Sequence, residues 1–178
     1  MELATAANAW VNTINSKNPE VIEKARYIIE NNLYCVLSTC SSDGLPWVSP
    51  VFFAYEYNQG YNIYWCSAVE AKHSQNLYHN HGRVAITIFD SSVPEGTGGG
   101  LYFYGLASEL DVAQIEKVVK LMANRAGKEI KRTTKDYLND SPRRLYHFHP
   151  QEAWITGERL PVGNQLVDTK IQISWPDL

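Results

Sequence analysis

The sequence predicts a small antiparallel β-barrel decorated by helices, and three observations predict it. Segments with a two-residue apolar period are joined by short turn sequences, which suit antiparallel strands and are too short for parallel ones. Helical segments stand between groups of strands as insertions, not as regular crossovers, which argues against a doubly wound parallel sheet. Six strands in a chain of 178 residues would expose two sheet edges unless the sheet closes on itself.

Residues 1–18 are polar and Asn-rich and read as an irregular arm. Asn18-Pro19-Glu20 then supplies an N-cap, a proline at the first helical position and an acid in the first turn. Val21, Ile22, Ala25, Ile28, Ile29 and Leu33 follow at helical spacing, so this helix is amphipathic. At Tyr34 the period changes to two, and residues 35–40 read as a strand. Ser41-Ser42-Asp43-Gly44 turns the chain, with Asp-Gly a strong hairpin signal. A second strand runs over 47–57, Asn58-Gln59-Gly60 turns it, and 61–66 makes a third. Residues 67–80 read as a loop passing into a short helix with Ala71, Leu77 and Tyr78 inward. Residues 83–89 form a fourth strand, 90–100 a flexible loop and 101–110 a fifth strand. Asp111 caps a helix that turns Ile115, Val118, Val119 and Met122 to one side, with Gly127 beyond its end. Another short helix is expected over 128–138, the sixth strand over 144–156, and one more candidate strand over 170–174. The chain has no internal repeats or linker that would divide it.

Composition narrows the class of function. Sixteen Lys+Arg against nineteen Asp+Glu give a net charge of −3, whereas a nucleic-acid binder normally carries a basic excess to neutralise phosphates. Hydrophobic residues at 44% and charged residues at 20% permit a packed core and exclude disorder. The aromatic content, 11 Tyr, 5 Trp and 5 Phe, fits strands or a pocket for a flat ring and does not choose between them. Cys35, Cys40 and Cys66 cannot all pair within one chain and stand in no metal-binding spacing, so reduced thiols are expected. The first residues lack the charged and apolar regions of a signal peptide, and no run reaches the ~18 apolar residues of a membrane helix. A cytoplasmic protein is therefore the expectation, without a membrane or nucleic-acid partner.

The most informative stretch is residues 65–77, WCSAVEAKHSQNL. A strand ends at Ser67, and a short loop brings Lys72 and His73 to the opening of a helix. A phosphate could be held there by the Ser67 hydroxyl, the free N–H groups of the helix N-terminus and the Lys72 ammonium. The competing reading makes Ser67 a helix cap and Lys72 a solvated surface residue. Pro50, in Trp47-Val48-Ser49-Pro50-Val51-Phe52-Phe53, cannot donate to a sheet ladder. It marks either an edge or bulge, or backbone groups freed to bond a flat polar heterocycle. The glycine loop Gly96-Thr97-Gly98-Gly99-Gly100 precedes a strand and lacks a following GK[ST], so it reads as a hairpin connection or a lid rather than a nucleotide loop. His79 and His81 diverge on a helix. His147 and His149 share a strand face, but no third ligand stands at telling spacing and no metal is expected.

These pieces, in this order, resemble the pyridoxamine 5′-phosphate oxidase-like family of FMN-binding split barrels. The resemblance is carried by YCVLSTCSSDGLPWVSPVFF, IYWCSAVEAKHSQNLYHNHGRVAITIF, LYFYGLASEL and RRLYHFHPQEAWIT. It implies a mainly β, α+β fold, a six-stranded antiparallel split β-barrel with flanking helices spanning 19–157, after the 1–18 arm. A tail over 158–178 would pack on the barrel or on a dimer partner. It further implies a homodimer with FMN at the interface, bound by Ser49, Pro50, Val51 and Phe52 along the ring and by Cys66, Ser67, Lys72 and His73 at the ribityl phosphate. Trp47, Phe52 and Trp65 fall where the flavin is expected, and Trp47, Tyr102 and Tyr104 are candidates for the substrate side. Tyr34, Tyr55, Tyr57, Tyr61, Tyr64, Tyr102 and Tyr104 fall on the expected strands and mostly read as barrel packing, which accounts for Tyr102 and Tyr104 equally well.

The departures matter as much. Ser49 stands where the oxidase proper has an arginine, Ala54 where it has a lysine, and Gly100 where it has a flavin-contacting glutamine. Asn164-Gln165-Leu166-Val167 replaces its C-terminal Arg-Leu-His. The cations for a phosphorylated substrate are thus missing, so the expectation is an FMN-dependent oxidoreductase on another small molecule, with no catalytic residue assigned. The alternatives are a non-enzymatic haem- or flavin-binding protein, with His147 or His149 as axial ligand, and a deazaflavin-dependent reductase on the same barrel.

Overall fold

The computed structural model describes residues 1–58, 60–174 and 178. A two-residue strand, β1 (Val11–Asn12), precedes helix α1 (Pro19–Asn31), where the Asn18 side chain accepts from the Glu20 N–H as a cap should. Strands β2 (Tyr34–Cys40), β3 (Pro46–Tyr57) and β4 (Tyr61–Ala68) form a meander, followed by helix α2 (Lys72–His79). Next come β5 (Arg83–Phe89), β6 (Gly100–Glu109), helix α3 (Ile115–Ala126) and the long β7 (Arg143–Thr156). A small hairpin, β8 (Leu160–Val162) and β9 (Gln165–Val167), leads to β10 (Lys170–Ile173).

Strands β2 to β7 close into a six-stranded antiparallel ring, ordered β7-β4-β3-β2-β5-β6 with β6 rejoining β7. The length of β7 makes closure work. Residues 143–148 pair with β4, 146–155 with β6, and 153–156 carry β10 outside the ring. The β6–β7 register shifts at Tyr104/Gly105, where an added Cβ would collide with the His149 carbonyl oxygen. Glycine is required at that close approach.

Alternation places Leu37, Phe53, Ile63, Trp65, Ile86 and Phe148 inside the ring, and α1 joins this core through Ala25, Ile28 and Ile29. A second cluster lies outside it, where Ile115, Val118 and Val119 of α3 pack on Tyr64 and Leu145. Arg125 ties the helices together: it donates to the carbonyls of Ile29 and Asn32 at the end of α1 and lies over the rings of Phe53 and Tyr55.

The structure departs from the sequence expectations in four places. The arm is not wholly irregular, because β1 pairs in parallel with β10, a partner far away in sequence. Residues 128–138 do not form a helix. Gly127 leaves α3 with φ +60°, the following Lys-Glu-Ile-Lys-Arg run has no apolar stripe, and only Thr134–Tyr137 makes a 3₁₀ turn. Asp111 caps a 3₁₀ turn (Val112–Gln114) that leads into α3, rather than α3 itself. The β8–β9 hairpin went unread because its two strands are only three residues each. Gln59 of the β3–β4 turn lies outside the described residues. Among the described residues, no helix is long and apolar enough to cross a membrane.

Candidate functional site

Strand β3 changes partners along its length. Its first half, Pro46–Phe52, pairs with β2, whereas its pairing with β4 begins only at Phe53↔Trp65 and runs to Tyr57↔Tyr61. Beyond Trp65, β4 continues to Ala68 against β7 alone. The two strands therefore diverge from Phe52 and Cys66, leaving an open seam in the barrel. The Phe53 N–H donates to Leu33, so odd-numbered residues of β3 direct their backbone groups toward β2 and even-numbered ones toward β4. Val48, Pro50 and Phe52 face the seam, and Pro50 sits where a missing N–H breaks no ladder. The edge reading of Pro50 and the freed-backbone reading are the same geometry.

Helix α2 enters the wide end of this seam. Leu77 joins the barrel core, and the Asn76 amide donates to the buried Thr39 hydroxyl at 3.0 Å, which fixes α2 against β2. His73 then spans the opening. Its Nδ1 lies 3.1 Å from Ser49 Oγ on β3, and its Nε2 lies 2.7 Å from Ser67 Oγ on β4. The Trp47 indole N–H donates to Ser49 Oγ at 3.0 Å, completing a chain from Trp47 to Ser67. Burial holds the His73 pKa below its ordinary value, so the imidazole is neutral, with one nitrogen to donate and one to accept.

The eight predicted contact residues thus divide between two faces. Ser49, Val51, Ser67 and His73 turn inward, while Pro50, Phe52 and Cys66 turn outward. Lys72 is the exposed first residue of α2, whose N-cap, Ala71, offers no side-chain hydrogen bond. Ser67 is therefore not the cap of α2; its hydroxyl is held by His73. Lys72 acts electrostatically on Asp43, whose carboxyl is lowered first by the Ser41 hydroxyl and also by that ammonium. Trp65 is displaced from its expected role: it is fully buried and stacks on Tyr146 at 5.6 Å. Tyr34, Tyr57 and Tyr104 are exposed, although strand packing was expected of them, and Tyr78 of α2 also faces out.

On the outer side, Phe52 and Cys66 line a groove of about 550 Å³ that continues under Val119, Met122, Ala123 and Ala126 of α3 to residues 128–132 and Tyr137. The groove is of ligand size and its floor is apolar. Burial raises the Cys66 thiol despite Arg143 and Arg132 beside it, and pushes Cys35 up to about 12, so neither is an activated thiolate. Arg132 and Arg143 escaped the sequence reading. Arg132 lies in the segment expected to be helical, and Arg143 approaches Cys66 only through the β4–β7 register, Ala68↔Arg143.

Two other sequence features lie elsewhere. The glycine loop borders a second, wider groove of about 1290 Å³ with α1 and the base of the β8–β9 hairpin, sharing no lining residue with the first. His147 and His149 share an outer face as expected, ring centroids 3.8 Å apart. His147 also stacks on Tyr64, lies 3.0 Å from Asn62 Oδ1, and is pushed down to about 4 by burial and then by His149. Among the described residues, no group of three His, Cys, Asp or Glu side chains is placed to hold a metal ion.

A six-stranded ring opened along one seam, with a short helix set into the opening, defines a split-barrel protein. Residues 21–157 match the model of the pyridoxamine 5′-phosphate oxidase family, and the chain belongs to that family. Solved structures agree at the level of the fold. A haem-binding protein from Mycobacterium smegmatis superposes with TM-score 0.61 at 20% identity, covering 85% of this chain and 58% of its own. This chain thus spans little more than half of that protein's length. The haem storage protein HutZ from Vibrio cholerae gives TM-score 0.58 at 23% identity, covering 75% and 89%. A protein from Bacteroides thetaiotaomicron, described as a putative 5-nitroimidazole antibiotic resistance protein, gives 0.59 at 15%, covering 75% and 81%. A search of curated proteins finds no match.

Proposed function

We propose that the protein binds FMN along the seam between β3 and β4 and acts, as a homodimer, as an FMN-dependent oxidoreductase on a small molecule. The observation that carries this reading is the unpaired run Pro46–Phe52, open on its β4 side and bordered by a ligand-sized groove. The residues fit the group. The seam-facing backbone of Val48, Pro50 and Phe52 offers hydrogen bonds to the edge of a flat heterocycle. Lys72 and the N–H groups of α2, which no side chain caps, suit a phosphate. Ser67 and His73 act indirectly, holding the seam at a set width.

Bound FMN would supply the redox chemistry. The chain's part is to orient the ring against β3 and to keep water from it through the apolar wall of α3. The neutral His73 bridge fixes Ser49 and Ser67 without placing a charge beside the ring. No side chain is assigned a proton-transfer role.

The outer sheet face supports the dimer. Outward positions of β2, of β5, of β6 and of β3 over 46–52, among them Tyr34, Val36, Val48, Ala85, Tyr104 and Leu106, carry a single charge, Arg83. A sheet face meant for water alternates to polar residues, so this one fits a partner copy. Three free cysteines are consistent with the reducing cytoplasm.

Haem in place of flavin is a second reading, favoured by the half-open His147–His149 pair and by the haem-binding names of two structural neighbours. The visible spectrum of the purified protein decides between them. The expected result is a two-band flavin spectrum, with FMN released on denaturation. A Soret band would replace this reading with haem, and a protein that takes up neither would remove both.

A further inference from the structure

We propose that Trp65, Tyr146, Tyr78 and Glu109 form an outlet that carries an oxidising equivalent from the barrel core to the surface. This protective activity is separate from turnover at the seam and does not depend on the flavin reading. Three of the four residues lie on one rung of the sheet: Trp65 of β4 pairs with Tyr146 of β7, which pairs with Glu109 of β6. The Trp65 and Tyr146 rings are wholly buried and stacked, 5.6 Å between centroids and 15° between planes. Tyr78 of α2 closes the outer end of the rung. Its Oη lies 2.8 Å from Tyr146 Oη and 2.6 Å from Glu109 Oε1, and the residue is exposed.

The hydrogen-bond directions follow from the groups. Glu109, ion-paired with Arg144 at 3.4 Å, only accepts, so Tyr78 donates to it and accepts from Tyr146. At the inner end the Trp65 indole N–H is buried and, among the described residues, has no acceptor. Packing explains the stacked rings, but neither the carboxylate at the outer end nor the unpaired donor at the inner one. Indole and phenol rings both give up one electron readily. A one-electron oxidant, such as an oxygen-derived radical, takes an electron from Trp65, which keeps its proton for want of an acceptor and stays strongly oxidising. Tyr146 returns an electron to Trp65, its phenolic proton moving to Tyr78 as the Tyr78 proton moves to Glu109. A hydrogen atom then passes from Tyr78 to Tyr146, and the neutral radical rests on Tyr78. In sum, Tyr78 loses one electron to the oxidant and one proton to Glu109. A thiol in solution resets the chain by giving Tyr78 a hydrogen atom, and Glu109 releases its proton to water.

The test irradiates the intact protein with light absorbed by tryptophan, oxygen taking up the electron and a nitroso spin trap capturing tyrosyl radicals. Peptide mass spectrometry then locates the products. The wild type should carry trap adducts at Tyr78 and a largely intact Trp65. Tyr146→Phe, which has no proton to release, should raise Trp65 oxidation severalfold and remove most of the Tyr78 adduct. Tyr78→Phe should raise oxidation at Tyr146 and Trp65 severalfold. Glu109→Gln, which cannot take up the proton, should act in the same direction as Tyr146→Phe. Tyr27→Phe, at an exposed tyrosine of α1 outside the chain, should change neither product. Tyr78 and Glu109 are surface residues, so their variants decide the matter even where Tyr146→Phe fails to fold. Equal Trp65 oxidation in the wild type, Tyr78→Phe and Glu109→Gln overturns the proposal. So does an undiminished Tyr78 adduct in Trp65→Phe, because Tyr78 would then be oxidised directly from solvent.

Discussion

The two halves of the β3–β4 pair differ in one respect that organises the molecule. From Phe53 to Tyr57 the strands are hydrogen-bonded, and Phe53, Ile63 and Trp65 are wholly buried in the barrel. From Pro46 to Phe52 the same strand has lost that neighbour, and a helix and one histidine stand in for the ladder. The closed half is a packing element. The open half keeps backbone polar groups unspent, which is what a site for a planar polar ligand requires.

The largest expected effect comes from giving the closed half the residue that the open half tolerates. Ala54 pairs with Tyr64 and, being even-numbered, directs its N–H to β4. Ala54→Pro removes that bond inside a fully paired stretch and should cost about 3 kcal/mol or more in denaturant unfolding. A loss under 1 kcal/mol would mean that the ladder there is already open. Next in size is His73→Ala. Ser67 loses its partner and Ser49 keeps only the Trp47 indole, and leaving the buried Ser67 hydroxyl unpaired should cost about 1–3 kcal/mol. Trp47 fluorescence should shift too, since its indole bonds Ser49; an unshifted spectrum with unchanged stability would show that the bridge does not hold the seam.

Lys72→Ala should leave stability unchanged, because the side chain is exposed, yet weaken FMN by about tenfold relative to riboflavin. Equal losses for both ligands would move the phosphate away from α2. A smaller effect is expected from pH. His147 titrates near 4 in the folded protein and near its ordinary value when unfolded, so in between only the unfolded chain takes up the proton. Stability should fall as pH drops from about 6.5 toward 4 and stay level, for this residue, above that window. His147→Gln should flatten the decline measured by thermal unfolding; an unaltered slope would place the titration elsewhere.

Local signals made most of the frame legible. Asp43-Gly44, Asn18-Pro19 and the alternation in β2 to β7 each state their own structure, and closure followed from counting edges. What escaped depends on distant partners. Nothing local in Val11–Asn12 announces a strand; β10 makes it one. The stretch WCSAVEAKHSQNL placed a helix opening beside a strand end, but it could not show that His73 bridges two strands, because Ser49 is 24 residues away. Trp65 looked like a flavin neighbour by position and proved to be core, since inward or outward parity depends on which β4 residues complete the ring. Arg143 approaches Cys66 only after β7 docks on β4, and Arg132 shares a groove with Cys66 only once the segment after α3 folds back.

Pro50→Ala carries the smallest expected change and tests the comparison most directly. In the closed half a proline would break a bond, while at 50 the restored N–H points into the seam. There it gains only water or a ligand, so stability should change by no more than about 0.5 kcal/mol. Flavin affinity can respond in two ways. A gain would mean that the ligand presents an acceptor opposite residue 50; a loss would mean that the fixed φ of proline sets the strand for binding. A stability gain of 2 kcal/mol or more would contradict the open seam itself. It would show that β4 lies close enough to accept the new bond, and that the barrel is zipped where this structure leaves it apart.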